Sequence, residues 1–251
     1  MTKFIALLSG KGGVGKTTTA INLGSALNFL GKDTIVVDCN LSMANLGVYL
    51  GSPVVSTNLV HVLKNIYHIS EAIYSHPSGL RVVPGNLPLE DLKDLDYDFE
   101  KSLEGLNGLT DFVLLDSAVG FNKEVLDVLK FADEVLIITD PNLASVTGAT
   151  KIAKLCDEEN KPIRGIVLTR TKDNFDLTIG NIENMVGHPV VGTIPEDDSV
   201  RRSLIEHSTV LETYPDSVAS ICYKQLASSL LGRNYSDGTE NKRFFFSKMF
   251  K

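Results

Sequence analysis

Short apolar runs alternate with longer stretches of helical period along this chain of 251 residues. The runs are Phe4–Leu8, Thr34–Val37, Leu80–Val83, Phe112–Leu115, Val135–Ile138, Ile163–Leu168 and Val190–Ile194. They are rich in Val, Ile and Leu and show little in/out alternation, the pattern of strands covered on both faces. Between them the spacing predicts helices over 17–30, 57–65, 97–106, 122–131, 145–159, 176–186, 197–207 and 217–231. Such alternation predicts an α/β protein of three layers, a central, mostly parallel β-sheet with helices on both faces. No internal repeat or mid-chain linker interrupts it. One compositional break comes late, at 232–241, which is polar and free of aliphatic side chains. A flexible segment of ten residues reaches about 17 Å on average, enough to let the end of the chain leave the body. The expected organisation is therefore a domain over 1–231, a flexible polar linker over 232–241 and a tail over 242–251.

Composition narrows the class. With 43% hydrophobic and 22% charged residues, the chain is neither disordered nor low-complexity. A formal charge of −7 argues against a surface built to coat nucleic acid. The sign reverses only in the tail, where Lys242, Arg243, Lys248 and Lys251 stand without an acid, which implies a partner for the tail alone. Cys39, Cys156 and Cys222 lie more than sixty residues apart with no CxxC pair. That spacing excludes a zinc ribbon or a disulfide framework and fits a reducing cytoplasm. No apolar run approaches the roughly 20 residues of a membrane span. The start of the chain is too short for a signal peptide, so a soluble intracellular protein is expected. His61, His68, His76, His188 and His207 lack metal-ligand spacing.

The candidate chemistry begins at Gly10-Lys11-Gly12-Gly13-Val14-Gly15-Lys16-Thr17, which fits GxxxxGK[ST] and sits between the strand at 4–8 and the helix at 17–30. Glycines let successive backbone N–H groups turn inward around phosphates, and the helix N-terminus adds its positive dipole end. In that arrangement Lys16 reaches the β- and γ-phosphates and the Thr17 hydroxyl joins the shell of a Mg²⁺ ion.

The second lysine of the motif, Lys11, makes KGGVGKTT resemble the deviant Walker A motif of the MinD/ParA family of P-loop ATPases. The stretch Asp38-Cys39-Asn40-Leu41-Ser42-Met43-Ala44-Asn45-Leu46-Gly47 looks like that family's first switch, in the MANLG form of archaeal MinD-like proteins. Leu114-Leu115-Asp116-Ser117-Ala118-Val119-Gly120 looks like its second switch, and Ile194-Pro195-Glu196-Asp197 like its adenine-cradling segment. The resemblance covers roughly 1–231 and implies the P-loop NTPase fold with ATP and Mg²⁺ as cofactors. It implies nucleotide contacts from 10–17, Thr18, Thr169, Arg170, Pro195, Glu196 and Asp197, and metal contacts from Thr17, Asp38 and Asp116. It further implies a homodimer formed with ATP, in which Lys11 reaches across to the partner's nucleotide, and catalytic roles for Lys11, Lys16, Asp38 and position 40.

Two positions depart from the family pattern. Asn40 stands where the family carries the aspartate that orients the attacking water. An amide accepts a hydrogen bond but holds no negative charge and takes no proton, so slow hydrolysis is expected. Thr169 stands where an asparagine usually pairs with the adenine edge, which loosens the expected base selectivity.

The tail carries Phe244, Phe245, Phe246, Lys248, Met249 and Phe250. On a helical wheel Phe245, Phe246, Met249 and Phe250 share an arc of about 140°, with basic residues opposite. This is similar to the membrane-targeting tail of MinD proteins. Basic residues near an anionic leaflet contribute about 1 kcal/mol each, and two tails on one dimer would supply avidity. The resemblance thus implies an ATP-dependent spatial regulator acting in cell division or positioning. It would be cytoplasmic, peripheral on the inner face of the cell membrane, with an unidentified protein partner. The alternatives are a ParA-like DNA partition or cargo-positioning ATPase, which the acidic body disfavours, and a non-hydrolysing nucleotide-dependent scaffold. The family's iron–sulfur carriers are excluded for want of closely spaced cysteines.

Overall fold

The computed structural model describes residues 1–52, 55–85, 97–172, 177–233 and 235. Eight strands form one sheet: β1 Lys3–Leu8, β2 Thr34–Cys39, β3 Tyr74–Ser75, β4 Arg81–Val83, β5 Phe112–Ser117, β6 Glu134–Thr139, β7 Ile163–Thr171 and β8 Val190–Pro195. Their order is β3-β4-β2-β5-β1-β6-β7-β8, parallel throughout except for the β3–β4 pair. Seven of these strands coincide with the apolar runs. The eighth, β3, is missing from the sequence pattern because it is two residues long and pairs antiparallel at the sheet's edge.

The main helices are α1 Lys16–Phe29, α5 Lys123–Phe131, α6 Leu143–Glu158, α7 Ile179–Val186, α8 Asp198–Ile205 and α10 Val218–Leu230. Shorter ones are α2 Leu46–Tyr49, α3 Leu59–Leu63, α4 Phe99–Leu103 and α9 Val210–Thr213. The helices expected over 57–65 and 97–106 shrink to α3 and to α4 plus a 3₁₀ turn at Glu104–Leu106. One turn of helix carries too little apolar period to be read from sequence, so α2 and α9 were not expected.

Alternation within each strand explains the three layers. Phe4, Ala6 and Leu8 of β1 join Val113 and Leu115 of β5 and Ile166 and Leu168 of β7 in one core, under α3 to α7. Ile5, Leu7, Leu114 and Val167 face the opposite core, under α1, α9 and α10. Successive side chains of a strand point to opposite faces, so a run apolar at every position must be covered twice.

Gly232, with φ 66°, and Arg233 close α10: the Arg233 N–H donates to Ser228 O at 2.9 Å, and Ser228 Oγ donates to Arg233 O at 3.0 Å. The packed body therefore runs two residues past the expected boundary at 231. Most of the expected linker and the whole tail over 242–251, with Phe244, Phe245, Phe246, Lys248, Met249 and Phe250, lie outside the described residues.

Candidate nucleotide site

β1 lies between β5 and β6; α1, which follows β1, covers one face of the sheet while α5 and α6, which follow β5 and β6, cover the other, so a crevice opens beyond the carboxyl end of β1. The loop over 10–15 fills that crevice. Gly13 and Gly15 adopt left-handed conformations with φ 78° and 84°, which L side chains rarely take. Gly15 caps α1 without a side-chain hydrogen bond, and the first turn of α1 holds no acid. The first-turn N–H groups of α1 are therefore offered to the loop, the usual seat of an anion. By contrast α5, α6, α8 and α10 each begin on a side-chain cap, from Asn122, Asn142, Asp197 and Ser217.

The loop is also held from behind. A Cβ at Gly10 would overlap the carbonyl of Gly148 in α6 and stand 2.6 Å from its Cα. Gly10→Ala is therefore expected to lower stability by about 1–3 kcal/mol through overpacking against backbone. A urea midpoint unchanged from the parent would refute that contact. Thr169 Oγ1 donates to Val14 O at 2.6 Å and lies 3.2 Å from Thr139 O, tying the loop to the ends of β7 and β6.

Lys16 is buried, and its Nζ donates to Asp116 Oδ1 at 2.6 Å and to Ser117 O. Asp116 ends β5 directly opposite Asp38 at the end of β2. The two oxygens of Asp38 are engaged: Oδ2 accepts from Asn45 N at 3.0 Å and Leu46 N at 2.9 Å, and Oδ1 from Asn40 N at 3.3 Å. Asp38 thus anchors the loop over 40–46 and caps α2 from a distance. Burial first, then the adjacent Asp116 carboxylate, push Asp38 above the usual carboxylate range, to about 7. Asp116 Oδ2 is buried and has no hydrogen-bond partner among the described residues. Two carboxylates against one ammonium, with an orphaned carboxylate oxygen, fit a hydrated divalent cation. Of the two aspartates, Asp116 has the free oxygen for it, whereas Asp38 is taken up by backbone.

Asn40 is half-buried and folds back on its own turn, its Nδ2 donating to Met43 O at 2.9 Å. Asn45 Nδ2 reaches the same carbonyl at 2.8 Å. Ser42 Oγ is 2.5 Å from Glu124 Oε1, joining the segment after β2 to α5. Glu124 was not expected from sequence, since a lone carboxylate in a first helical turn reads as ordinary dipole compensation. Lys11 is exposed and makes no hydrogen bond or ion pair with another described residue. At the same carboxyl end of the sheet the segments after β2 and β5 and the start of α6 expose Met43 at 71%, Val119 at 39%, Phe121 at 47% and Leu143 at 59%.

A cleft of about 280 Å³ continues from Gly15 and Thr18 past Thr169, Arg170, Pro195 and Asp197. The structure thus brings the distant sequence candidates Thr169, Arg170, Pro195, Glu196 and Asp197 onto one wall beside the loop. The Asp197 carboxylate caps α8 through Ser199 N at 2.9 Å and also accepts from Ala219 N at 3.1 Å. Burial alone would raise this carboxyl, but those hydrogen bonds outweigh it and hold Asp197 below its ordinary value.

Parallel sheet, glycine loop, uncapped helix and strand-end aspartate together define a P-loop nucleotide-binding protein. The chain belongs to the CobQ/CobB/MinD/ParA nucleotide binding domain family, matched over residues 5–210, a family of P-loop ATPases. It is 34% identical over 232 residues to an uncharacterized ATP-binding protein of Methanocaldococcus jannaschii, covering 91% of this chain and 88% of the relative. A second uncharacterized ATP-binding protein of that organism is 32% identical over 250 residues, covering 98% and 95%. The solved structure of the septum site-determining protein MinD from Pyrococcus horikoshii, complexed with Mg-ADP, superposes with a TM-score of 0.86 at 28% identity. It covers 92% of this chain and 96% of that one.

Proposed function

We propose that this chain is a MinD-like, ATP-dependent switch that pairs with a second copy of itself and associates with an anionic membrane surface, hydrolysing ATP slowly. The observation that carries this reading is the convergence, at one end of the sheet, of the P-loop, Asp116 and exposed apolar side chains from the segments after β2, β5 and β6. Its similarity to a septum site-determining protein complexed with Mg-ADP supports the same nucleotide and metal here.

Backbone N–H groups of 10–15 and the start of α1 hold the phosphates. Lys16 exchanges the Asp116 oxygen for phosphate oxygens, and Asp116 with Thr17 then faces the metal's shell. Bound Mg²⁺ supplies charge neutralisation at the phosphates. Met43, Val119, Phe121 and Leu143 form the apolar border of the face that meets the second copy. There Lys11 places a cation near the other copy's phosphates, as an arginine finger supplied in trans does. Asn40 keeps its amide on Met43 O and brings no negative charge to the water, which accounts for slow turnover. The tail over 242–251 adds a weak membrane contact per copy that becomes firm only when two are joined. ATP thereby sets location, with the protein peripheral on the inner face of the cell membrane, where it recruits a protein partner.

The test is cosedimentation with anionic liposomes for the full chain and for a chain ending at 241, in ATP and in ADP. The full chain is expected to sediment with ATP only. The shortened chain stays in the supernatant while still forming an ATP-dependent dimer by light scattering. Undiminished sedimentation of the shortened chain refutes the membrane role of the tail.

A further inference from the structure

At the phosphate end of the sheet two neighbouring segments are tied together by a contact outside the nucleotide site. Residues 40–45 leave β2, and residues 118–122 leave β5 and lead into α5. The two begin side by side, because Cys39 lies in register with Ser117, and Cys39, Leu41, Ala118 and Val125 share one core. Beyond that, the hydrogen bonds of 40–45 turn inward. The Asp38 carboxylate accepts from Asn40 N and Asn45 N, and the amides of Asn40 and Asn45 both donate to Met43 O. Among the described residues, Ser42 is the one side chain of 40–45 that hydrogen-bonds beyond this segment, its hydroxyl donating to Glu124 Oε1 at 2.5 Å.

The bond has a firm footing on one side and a loose one on the other. Asn122 caps α5 through Val125 N at 3.0 Å, and Val125, Val128 and Leu129 are buried in the core, so Glu124 stands on a fixed helical turn. Ser42 and Met43 are exposed, and of their segment only Leu41 and Ala44 are buried. The Glu124 carboxylate is half-buried, and its Oε2 is buried with no hydrogen-bond partner among the described residues. An acid that serves the helix dipole alone does so from solvent, without desolvation. Glu124 instead gives up water at one oxygen and receives a hydroxyl at the other, and a hydroxyl–carboxylate bond is among the stronger hydrogen bonds.

This bond fixes how far apart the exposed apolar side chains of the two segments stand. Met43 follows Ser42 directly, and Val119 and Phe121 sit on the stretch that ends at the α5 cap. With the bond made, these side chains belong to one surface. Without it, Met43 is held only through Asp38 and the buried Leu41 and Ala44, and takes up several positions. We infer that Ser42 and Glu124 form a latch that pre-organises the face on which two copies pair. Glu124 is then a positioning residue for ATP-dependent pairing and not for nucleotide affinity. The inference rests on the reading that copies of this chain pair through that face. Pre-organisation raises affinity by raising the fraction of molecules already in the binding conformation. A latch whose loss lowers that fraction to about one third in each copy weakens the dimer about tenfold, since both copies contribute.

The experiment measures the dimer dissociation constant of the full chain in MgATP by sedimentation velocity, for the parent, Ser42→Ala, Glu124→Ala, the double variant and Ser42→Thr. MgADP affinity is measured by titration calorimetry, since pairing is expected with ATP only. Each single alanine variant is expected to weaken the dimer about tenfold, and the double variant no further than the singles, because either change breaks the same bond. Ser42→Thr keeps the hydroxyl and is expected to pair within about threefold of the parent, with MgADP affinity within about threefold throughout. Parent-like pairing by Ser42→Ala overturns the latch, and since Ser42 is exposed, this variant tests it even where Glu124→Ala does not fold. Losses that multiply in the double variant overturn it as well, because the two residues then act separately. A comparable loss of MgADP affinity assigns the effect to the nucleotide site and overturns it too. A parent that stays monomeric in MgATP overturns the pairing reading itself, a result distinct from a parent that pairs and variants that pair equally well.

Discussion

Lys16→Met is expected to abolish MgATP binding, with no heat detectable by titration calorimetry at concentrations that saturate the parent. Its Nζ is buried behind the loop against Asp116 Oδ1 at 2.6 Å, and no other described lysine or arginine shares that contact. A second effect comes from burial. With side chains 5% and 1% exposed, Lys16 and Asp116 form a pair removed from solvent, so deleting the ammonium leaves Asp116 uncompensated beside Asp38. Breaking such a pair costs about 3–5 kcal/mol where the remaining charge cannot escape. Protonation of one aspartate relieves part of that, and Asp38, already pushed to about 7, is the one poised to take the proton. The expected loss in urea denaturation is thus about 2–3 kcal/mol near neutral pH, below the about 3–5 kcal/mol lost where the remaining charge cannot escape. Normal binding by Lys16→Met would remove the basis for the whole site.

Asn40→Asp is expected to raise turnover by about 100-fold, at the low end of what a correctly placed acid or base contributes. The substitution also has a local cost. Asn40 Nδ2 donates to Met43 O at 2.9 Å, and an aspartate at that place can only accept, so two oxygens would face each other. Loss of one such bond costs about 1 kcal/mol. The turn survives it, because Asn45 Nδ2 holds the same carbonyl at 2.8 Å and Asp38 anchors Asn45 N and Leu46 N. The carboxylate is thereby expelled from its bond to Met43 and left available to water. Phosphate release under saturating MgATP, with and without anionic liposomes, measures the gain, and the ATP Kd should move less than tenfold. Equal rates for parent and variant would show that another group positions the water. Glu124 is then the residue to replace, since it touches Ser42 of the same loop and its Oε2 is buried without a hydrogen-bond partner among the described residues.

The parts of this site legible in the sequence are those whose geometry is local. Phosphate binding by 10–17 needs a strand end, a run of glycines and a helix start, all within one stretch of chain. Seven strands were legible for the same reason: a run of Val, Ile and Leu without alternation has to be covered on both faces. The helix expected over 217–231 is α10 to within a residue at each end, but the packing of Gly232 and Arg233 beyond it was not legible, because it depends on which carbonyls they find. β3 was not legible at all, since two residues at a sheet edge carry no period.

What each candidate residue does in the site was decided by tertiary structure. Lys16 and Asp116 lie 100 positions apart and meet at 2.6 Å; Thr169 lies 155 positions from the Val14 carbonyl it holds. Sequence identifies Asp38, Thr169 and Asp197 as able to accept or donate at a nucleotide. Packing gives those capacities to the backbone of 40–46, to the P-loop and to α8 and α10, and leaves Asp116 Oδ2 and Arg170 uncommitted. A side chain's hydrogen-bonding capacity is set by its type. Which partner takes it up depends on what the fold brings within about 3 Å. Residue type and spacing therefore determined that this chain holds a phosphate loop in an α/β sheet, and only the assembled strand ends determined which of its polar groups remain free to act.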